Sequence, residues 1–542
     1  RMAWLQIFQH SRYTTLSDEN RVQTQAVPPP RGLITDRNGE ILAANRPDFT
    51  VEVIVEQIPD LQRTLREIHQ LVPLESDDIE RFNKRLQGPR RPWDPIPLRG
   101  RLSEQEIARI TVNQHRLPGV RVAANPVRHY PHGKLFSHVL GYVNRLNVED
   151  LDGMTLTEQS DYAGTHYYGR SGVERYYENR LHGQVGYRQV ETNARGRILR
   201  VLEQKPPVPG ENLRLTLDMD VQRAADKALG DRRGAVVAID PRDGSVLAFV
   251  SRPVFDPNLF DPGYYQLEDN PHRYRDWKRW GHGHVDLNKA VVQSCDTYFY
   301  DLGFKLGIAR MHDFLSDFSL GQPTGIDLLN ESSGLLPSKE WKRAARGATW
   351  YHGDTINASI GQGFMLATPL QLATATAILA HHGKQVTPTL AADALRVPPR
   401  PDVNLRNSEN WQRMEDTMAE VVHGDRGTAR VMAEGAPYRM GAKTGTSQVF
   451  SVGQEETYNE DELAERLLDH ALIIAFAPVE EPAIAVAVLV ENGRHGGSTA
   501  GPVARQVMDA WLLNDNGELA VPPPLQRTAQ TQTAVTVPGG TP

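Results

Sequence analysis

The sequence predicts a two-part protein of mixed α and β structure. An N-terminal region of helix and strand forms a pedestal, and an α/β sandwich with a central antiparallel sheet covered by helices follows it. Three observations predict this. Two pairs of apolar runs, at 234–239 with 245–250 and at 471–477 with 483–490, lie far apart in the chain. They are apolar throughout rather than alternating, so both faces of their sheet must be covered. Helical stretches such as 368–380 and 502–512 supply the cover, and the order of strands, many helices, then strands reads as a sandwich.

In chain order, Pro28-Pro29-Pro30 punctuates the start of the pedestal. Leu61, Leu65, Ile68 and Val72 follow a helical stripe, with Asp60 placed as its N-cap. Ser103 and Glu106 form a capping-box pattern ahead of Ile107 and Ile110. The cluster Pro206-Pro207-Val208-Pro209-Gly210 reads as the main boundary, giving a pedestal of 1–210 and a second domain of 211–515. Asp243-Gly244 is a hairpin signal between the first two apolar runs. Residues 516–542, rich in Pro, Thr and Gln, read as a disordered tail.

Composition narrows the function. Of 542 residues, 39% are hydrophobic and 23% charged, which excludes fibrous and wholly disordered classes. The net charge of −7 argues against a nucleic-acid-coating protein, and a single cysteine excludes a disulfide scaffold. No run of 18 apolar residues occurs. The first residue is Arg1, and the short apolar opening Met2-Ala3-Trp4-Leu5-Gln6-Ile7-Phe8 reads as the end of a removed anchor or as a core element.

Lys443-Thr444-Gly445-Thr446 is the sharpest motif. Average usage makes such a string an accident on the order of one per cent in a chain of this length. The run into Ser447-Gln448-Val449-Phe450 reads as an edge strand, and Gly445 would let a substrate backbone approach it. Lys443 and the Thr446 hydroxyl would hold a carboxylate, and the Thr446 amide would donate to an oxyanion. Ser294-Cys295-Asp296, 149 residues earlier, gains weight from this partner, because serine-based penicillin-interacting enzymes carry S-x-N or S-x-D upstream of KTG. Ser294 and Asp296, two apart, would face the cleft and Cys295 the interior.

Further blocks carry a family resemblance. Arg31-Gly32-Leu33-Ile34-Thr35-Asp36-Arg37-Asn38-Gly39, Gly172-Val173-Glu174-Arg175-Tyr176-Tyr177 and Leu181-His182-Gly183 resemble signatures of class B penicillin-binding proteins. Ile360-Gly361-Gln362-Gly363 and Thr368-Pro369-Leu370-Gln371 resemble their transpeptidase half. The stretches 276–283 and 350–355 are most similar to the elongation-specific branch, penicillin-binding protein 2 of rod-shaped Gram-negative bacteria. The resemblance implies a D,D-transpeptidase that cross-links peptidoglycan stem peptides, is acylated by β-lactam antibiotics and works at the periplasmic face of the inner membrane. It also implies partners of the RodA-type glycosyltransferase and MreC-type organiser kinds. In it Ser294 would relay a proton, Asp296 would orient the site, and Lys443, Thr444, Gly445 and Thr446 would bind substrate.

One departure stands out. Such enzymes use S-x-x-K, a serine nucleophile with a lysine base one turn later, and no serine in this chain has lysine at the third following position. In relatives several dozen residues holding that element separate the pieces that here join at Phe260–Asp261. A non-catalytic scaffold, or a β-lactam sensor or β-lactamase, is the alternative reading. Last, Asp261, Asp276, His282 and Cys295 offer two carboxylates, an imidazole and a thiolate, with His284 as the competing imidazole. That donor set suits a structural zinc, and a small buried thiol is the other reading of Cys295. The resemblance strengthens the expectation, since some members with cysteine at this position hold a metal there.

Overall fold

The computed structural model describes residues 22–87, 95–100, 102–145, 154, 155, 159, 161–162, 167–192, 198–254, 282, 285–394, 400–449 and 465–525. The pedestal opens with β1 (Val22–Val27), β2 (Ile34–Thr35) and the long β3 (Ile41–Val53). Helix α1 (Leu61–Leu71) begins where the sequence places it, since the Asp60 carboxylate accepts the Arg63 amide at 3.0 Å. Helices α2 (Ser76–Gln87) and α3 (Glu104–Asn113) follow, α3 with the expected reciprocal Ser103–Glu106 capping box. Strands β4 (Ile96–Arg99) and β5 (Val120–His129) both pair antiparallel with β3. One face of these strands, through Val51, Val53, Leu98 and Val120, closes over Leu65, Ile68 and Ile110 of the helices.

Next come β6 (Val143–Arg145), β7 (Tyr167–Gly169), the short helices α4 (Gly172–Tyr176) and α5 (Glu178–His182), then β8 (Gly186–Thr192) and β9 (Ile198–Lys205). Buried charge ties this part together. Arg31 bridges Glu174 at 2.7 Å and Glu178 at 2.6 Å, and Arg128 meets the other oxygen of Glu174 at 2.6 Å. Burial alone would raise the Glu174 pKa, but Arg128 and Arg31 together hold it below its ordinary value.

The proline cluster at 206–210 is stitched down rather than free. Val208 and Gln184 exchange two backbone hydrogen bonds of 2.9 Å, and the Gly210 amide donates to Pro30. The strand beyond it, β10 (Leu213–Arg214), pairs parallel with β2. One apolar cluster runs continuously from Ile34, Leu42 and Leu181 through Leu213 and Leu215 to Val237 and Ala485.

Helix α6 (Met219–Leu229) then leads into β11 (Gly234–Ile239) and β12 (Val246–Arg252), antiparallel across the Asp243-Gly244 turn, where Gly244 has φ +79°. The helices between are α7 (Leu287–Val292), α8 (Asp296–Leu306), α9 (Ile308–Ser316), α10 (Lys339–Arg346), α11 (His352–Ala358), α12 (Pro369–Ala380) and α13 (Glu409–His423). Strands β13 (Gly441–Ser447), β14 (His470–Ala477) and β15 (Ile484–Val490), with α14 (Gly501–Leu512), complete the domain. The sheet order is β12-β11-β15-β14-β13, and every pair is antiparallel.

The strands are apolar on both faces for the expected reason. Val236, Ala238, Val486 and Val488 pack against α6 and α14 through Val221, Val503 and Val507. Val237, Ile239, Ala485 and Ala487 share a cluster with Ala373, Ala377 and Ile378 of α12. Residues 516–525, expected to begin a disordered tail, are pinned instead. Ala520 donates to Leu512, and the Leu525 amide reaches the Asp243 carboxylate at 3.0 Å. Asn514 caps that turn and Arg242 adds a bond to Pro522, partners that composition does not reveal. Residues 526–542 and 1–21, including the apolar opening, lie outside the described residues. Among the described residues no helix is long and apolar enough to cross a membrane.

Candidate active site

Ser294 sits in the tight connection between α7 and α8. The Cys295 amide donates to the Ala290 carbonyl at 2.9 Å, and Ser294 closes the turn at φ +52°. That geometry faces Ser294 and Asp296 to partly open space and puts Cys295 inside, 4% exposed, as the two-residue spacing requires.

The opposite wall is β13, the edge strand of the sheet among the described residues. The sequence placed this edge strand at 447–450; the structure places it at Gly441–Ser447, so the motif itself is the strand. Lys443 Nζ crosses the cleft to donate to Ser294 Oγ at 2.8 Å, and also donates to the Thr444 carbonyl at 2.8 Å. Burial pushes the Lys443 ammonium down to about 8 from 10.5, while the Asp296 carboxylate opposes the fall. A lysine so placed is a cation for an anionic ligand at neutral pH and gives up its proton readily just above it.

Neighbouring parts shape the strand. Thr444 Oγ1 meets Thr428 Oγ1 at 2.9 Å. Gln362 Nε2, from the turn after α11, donates to the Thr446 carbonyl at 2.8 Å. Gly496 packs its backbone against the inner flank, where a Cβ would stand 2.1 Å from the Leu472 oxygen and 2.8 Å from the Gly445 oxygen. A Cβ on Gly445 would meet Leu472 Cβ at 3.3 Å and, among the described residues, nothing else within contact range.

The structure therefore brings together Ser294, Asp296, Lys443, Thr444, Gly445 and Thr446. Of the metal set, His282 and Cys295 are buried, and the His282 carbonyl accepts from Lys289 Nζ of α7 at 2.9 Å. Asp261, Asp276 and His284, and the Phe260–Asp261 junction, lie outside the described residues. Among the described residues no group of three or more metal-ligating side chains gathers. Sequence reasoning missed Thr428, Gly496 and the role of Gln362; two glycines flanking Gln362 were the available signal.

A cleft with a serine bound to a lysine of lowered pKa, walled by a KTGT edge strand, defines a serine-type acyl-transferase of the penicillin-interacting class. Comparison with known proteins agrees. Residues 26–215 match the penicillin-binding protein dimerisation domain, and 258–509 match the penicillin-binding protein transpeptidase domain. The peptidoglycan D,D-transpeptidase MrdA of Acinetobacter baumannii is 40% identical over 95% of this chain and 85% of its own, and that of Escherichia coli K12 is 39% identical over 94% and 91%. Crystallised Pseudomonas aeruginosa PBP2, in complex with WCK 5153, superposes with a TM-score of 0.67 at 36% identity, covering 92% of this chain and 98% of that one. Helicobacter pylori PBP2, in complex with MreC, superposes at 0.76 and 28% identity over 90% and 98%. This chain belongs to the penicillin-binding protein 2 (MrdA) family of peptidoglycan D,D-transpeptidases, whose serine acyl transfer cross-links the cell wall during elongation.

Proposed function

We propose that the cleft between α8 and β13 is the donor-peptide site of this transpeptidase, and that its nucleophile belongs to a segment falling between Phe260 and Asp261. The Lys443–Ser294 contact across the cleft carries the reading. Supporting the second part, the match to the Acinetobacter relative spans 577 positions, more than the 542 residues of this chain, so the relative carries residues with no counterpart here.

In the reaction, a serine oxygen attacks the carbonyl of the penultimate D-alanine of a stem peptide. The C–O bond forms, the C–N bond to the terminal D-alanine breaks, and Ser294 relays a proton to the departing amine. An amine of a second stem then displaces the serine oxygen. Lys443, Thr444 and Thr446 anchor the terminal carboxylate, the outward-facing Thr446 amide donates to the oxyanion, and Asp296 orients the site. Reading the encoding gene across codons 260 and 261 tests this. An S-x-x-K segment is expected there; an uninterrupted frame leaves a non-catalytic scaffold.

Zinc is part of the same proposal. Asp261, Asp276, His282 and Cys295 would hold it, and the burial of His282 and Cys295 on segments joined through Lys289 is what this chain offers in support. Zinc there supplies a structural brace behind Ser294 and no reacting group. Protein purified without added metal should carry about one zinc per chain by elemental analysis, and Cys295→Ala should lose both metal and thermal stability. Metal-free protein with unchanged melting on chelation returns Cys295 to a buried thiol. We extend the proposal to a RodA-type glycosyltransferase and an MreC-type organiser as partners, to the periplasmic face of the inner membrane as location, and to a division of the chain near residue 210.

A further inference from the structure

Among the described residues strand β13 pairs on one side only, with β14. Along a strand, alternate residues turn both backbone groups to the same side. The Thr444 carbonyl is taken by Lys443 Nζ and the Thr446 carbonyl by Gln362 Nε2, so Thr444 and Thr446 are the pair facing outward. An extended peptide adding to this edge must find its acceptor among these carbonyls. In an antiparallel pair, the residue that accepts from one amide returns its own N–H to the carbonyl of that same residue. If the Thr446 amide binds the scissile carbonyl, the N–H of that same penultimate D-alanine falls on the Thr446 carbonyl. Gln362 already sits there.

Gln362 is presented by fixed backbone. Gly361 and Gly363 take φ +76° and +73°, a region that disfavours other residues. The Gln362 amide is held by Asn357 at 3.0 Å and that of Gly361 by Ala358 at 3.1 Å. Helix α11 is itself anchored, because Lys342 Nζ meets Asp354 in its first turn at 2.5 Å. The movable part is the Gln362 side chain, whose terminal amide carries the same N–H as a peptide backbone.

We propose that Gln362 is an internal stand-in for the donor peptide: its side chain occupies the Thr446 carbonyl and must be displaced by the amide of the penultimate D-alanine. The inference rests on the donor-site reading above. It makes Gln362 a gate on binding, opened by a group of matching chemistry and left closed by ligands without that N–H. A hydrogen bond exposed to water contributes modestly, so the gate costs the ligand a factor of about three to ten in affinity.

The test titrates this chain, Gln362→Met and Gln362→Ala with an N-acylated peptide ending in D-alanyl-D-alanine, and with the same peptide N-methylated at the penultimate residue, followed by NMR. Both variants should bind the unmethylated peptide about three- to tenfold more tightly and show no gain for the methylated one. The near-isosteric Met variant keeps the comparison valid if Ala loosens the turn, and melting curves verify folding. Unchanged or weaker binding in both variants, or an equal gain for the methylated peptide, overturns the gate alone. No binding of either peptide by any of the three proteins overturns the donor-site reading and the gate with it.

Discussion

Lys443 must be an ammonium to hold a carboxylate, yet its surroundings favour the neutral amine. Burial lowers its pKa to about 8, and the Asp296 carboxylate is set against the fall. Affinity for a D-alanyl-D-alanine carboxylate should therefore weaken as pH rises through about 8. Lys443→Arg should bind about tenfold more weakly, because a planar fork replaces a compact ammonium, but with a flat profile over the same range. Peptide titrations from pH 6.5 to 9.5 check both, and a flat wild-type profile would remove Lys443 from the anchor. The linked stability has a definite sign. The unfolded chain holds the Lys443 proton up to about 10.5 and the folded chain only to about 8, so stability rises with pH between them, and Lys443→Met abolishes that rise. That Ser294 would meet Lys443 was legible in the sequence from the two motifs, and the contact between them spans 149 residues. The part played by Gln362 was not legible, since it depends on a contact with Thr446 across 84 residues. Thr428 gave no sequence signal, because a lone threonine in a loop has many roles.

Among the elements, the two central strand pairs were legible to within a residue or two, because continuous apolar runs bounded by Asp243-Gly244 and by Pro478 to Pro482 leave few alternatives. Strand β13 was placed too late. Gly441 to Ser447 is polar and glycine-rich, with no apolar alternation to read, and becomes a strand only by pairing with β14. Its shape also depends on Gly496, which enters the stretch Gly496–Ala500 ahead of α14 and touches Leu472 and Gly445 backbone to backbone. Gly496→Ala should drive these segments apart, cost about 1–3 kcal/mol in urea unfolding and weaken peptide binding together. Loss of stability with intact peptide affinity would show that β13 keeps its position without this contact.

For the whole molecule, the contact between pedestal and transpeptidase half is built rather than incidental. Tyr177 donates to Asp327 at 2.5 Å, while the two Asp327 oxygens also accept the Leu390 and Ala391 amides at 2.6 and 2.8 Å. Arg180 adds a bridge to Asp393 at 2.6 Å. Burial and Asp327 both push the Tyr177 phenol far above its ordinary pKa, so it stays a donor at any working pH. Asp327→Ala leaves two buried amides and a phenol without their acceptor and should cost about 1–3 kcal/mol for each group stranded, whereas Tyr177→Phe removes one bond and should cost about 1 kcal/mol. Equal effects in urea unfolding would mean that Asp327 acts only through Tyr177. This joint was not legible in the sequence, because its partners lie 150 residues apart and the proline cluster reads as a boundary. The two-part architecture itself was legible from the proline cluster and the continuous apolar runs that follow it, and two domain families match the two parts.

In the proposed donor site, the wall of Ser294, Asp296, Lys443 and Thr446 would anchor the carboxylate and relay the proton, and the nucleophile would come from a segment between Phe260 and Asp261. Intact-mass measurement after incubation with penicillin tests this most directly. It compares this chain with one carrying a relative's S-x-x-K segment between Phe260 and Asp261. A penicilloyl adduct is expected on the second chain and none on the first. An adduct on the first chain, or none on a folded second chain, would contradict it.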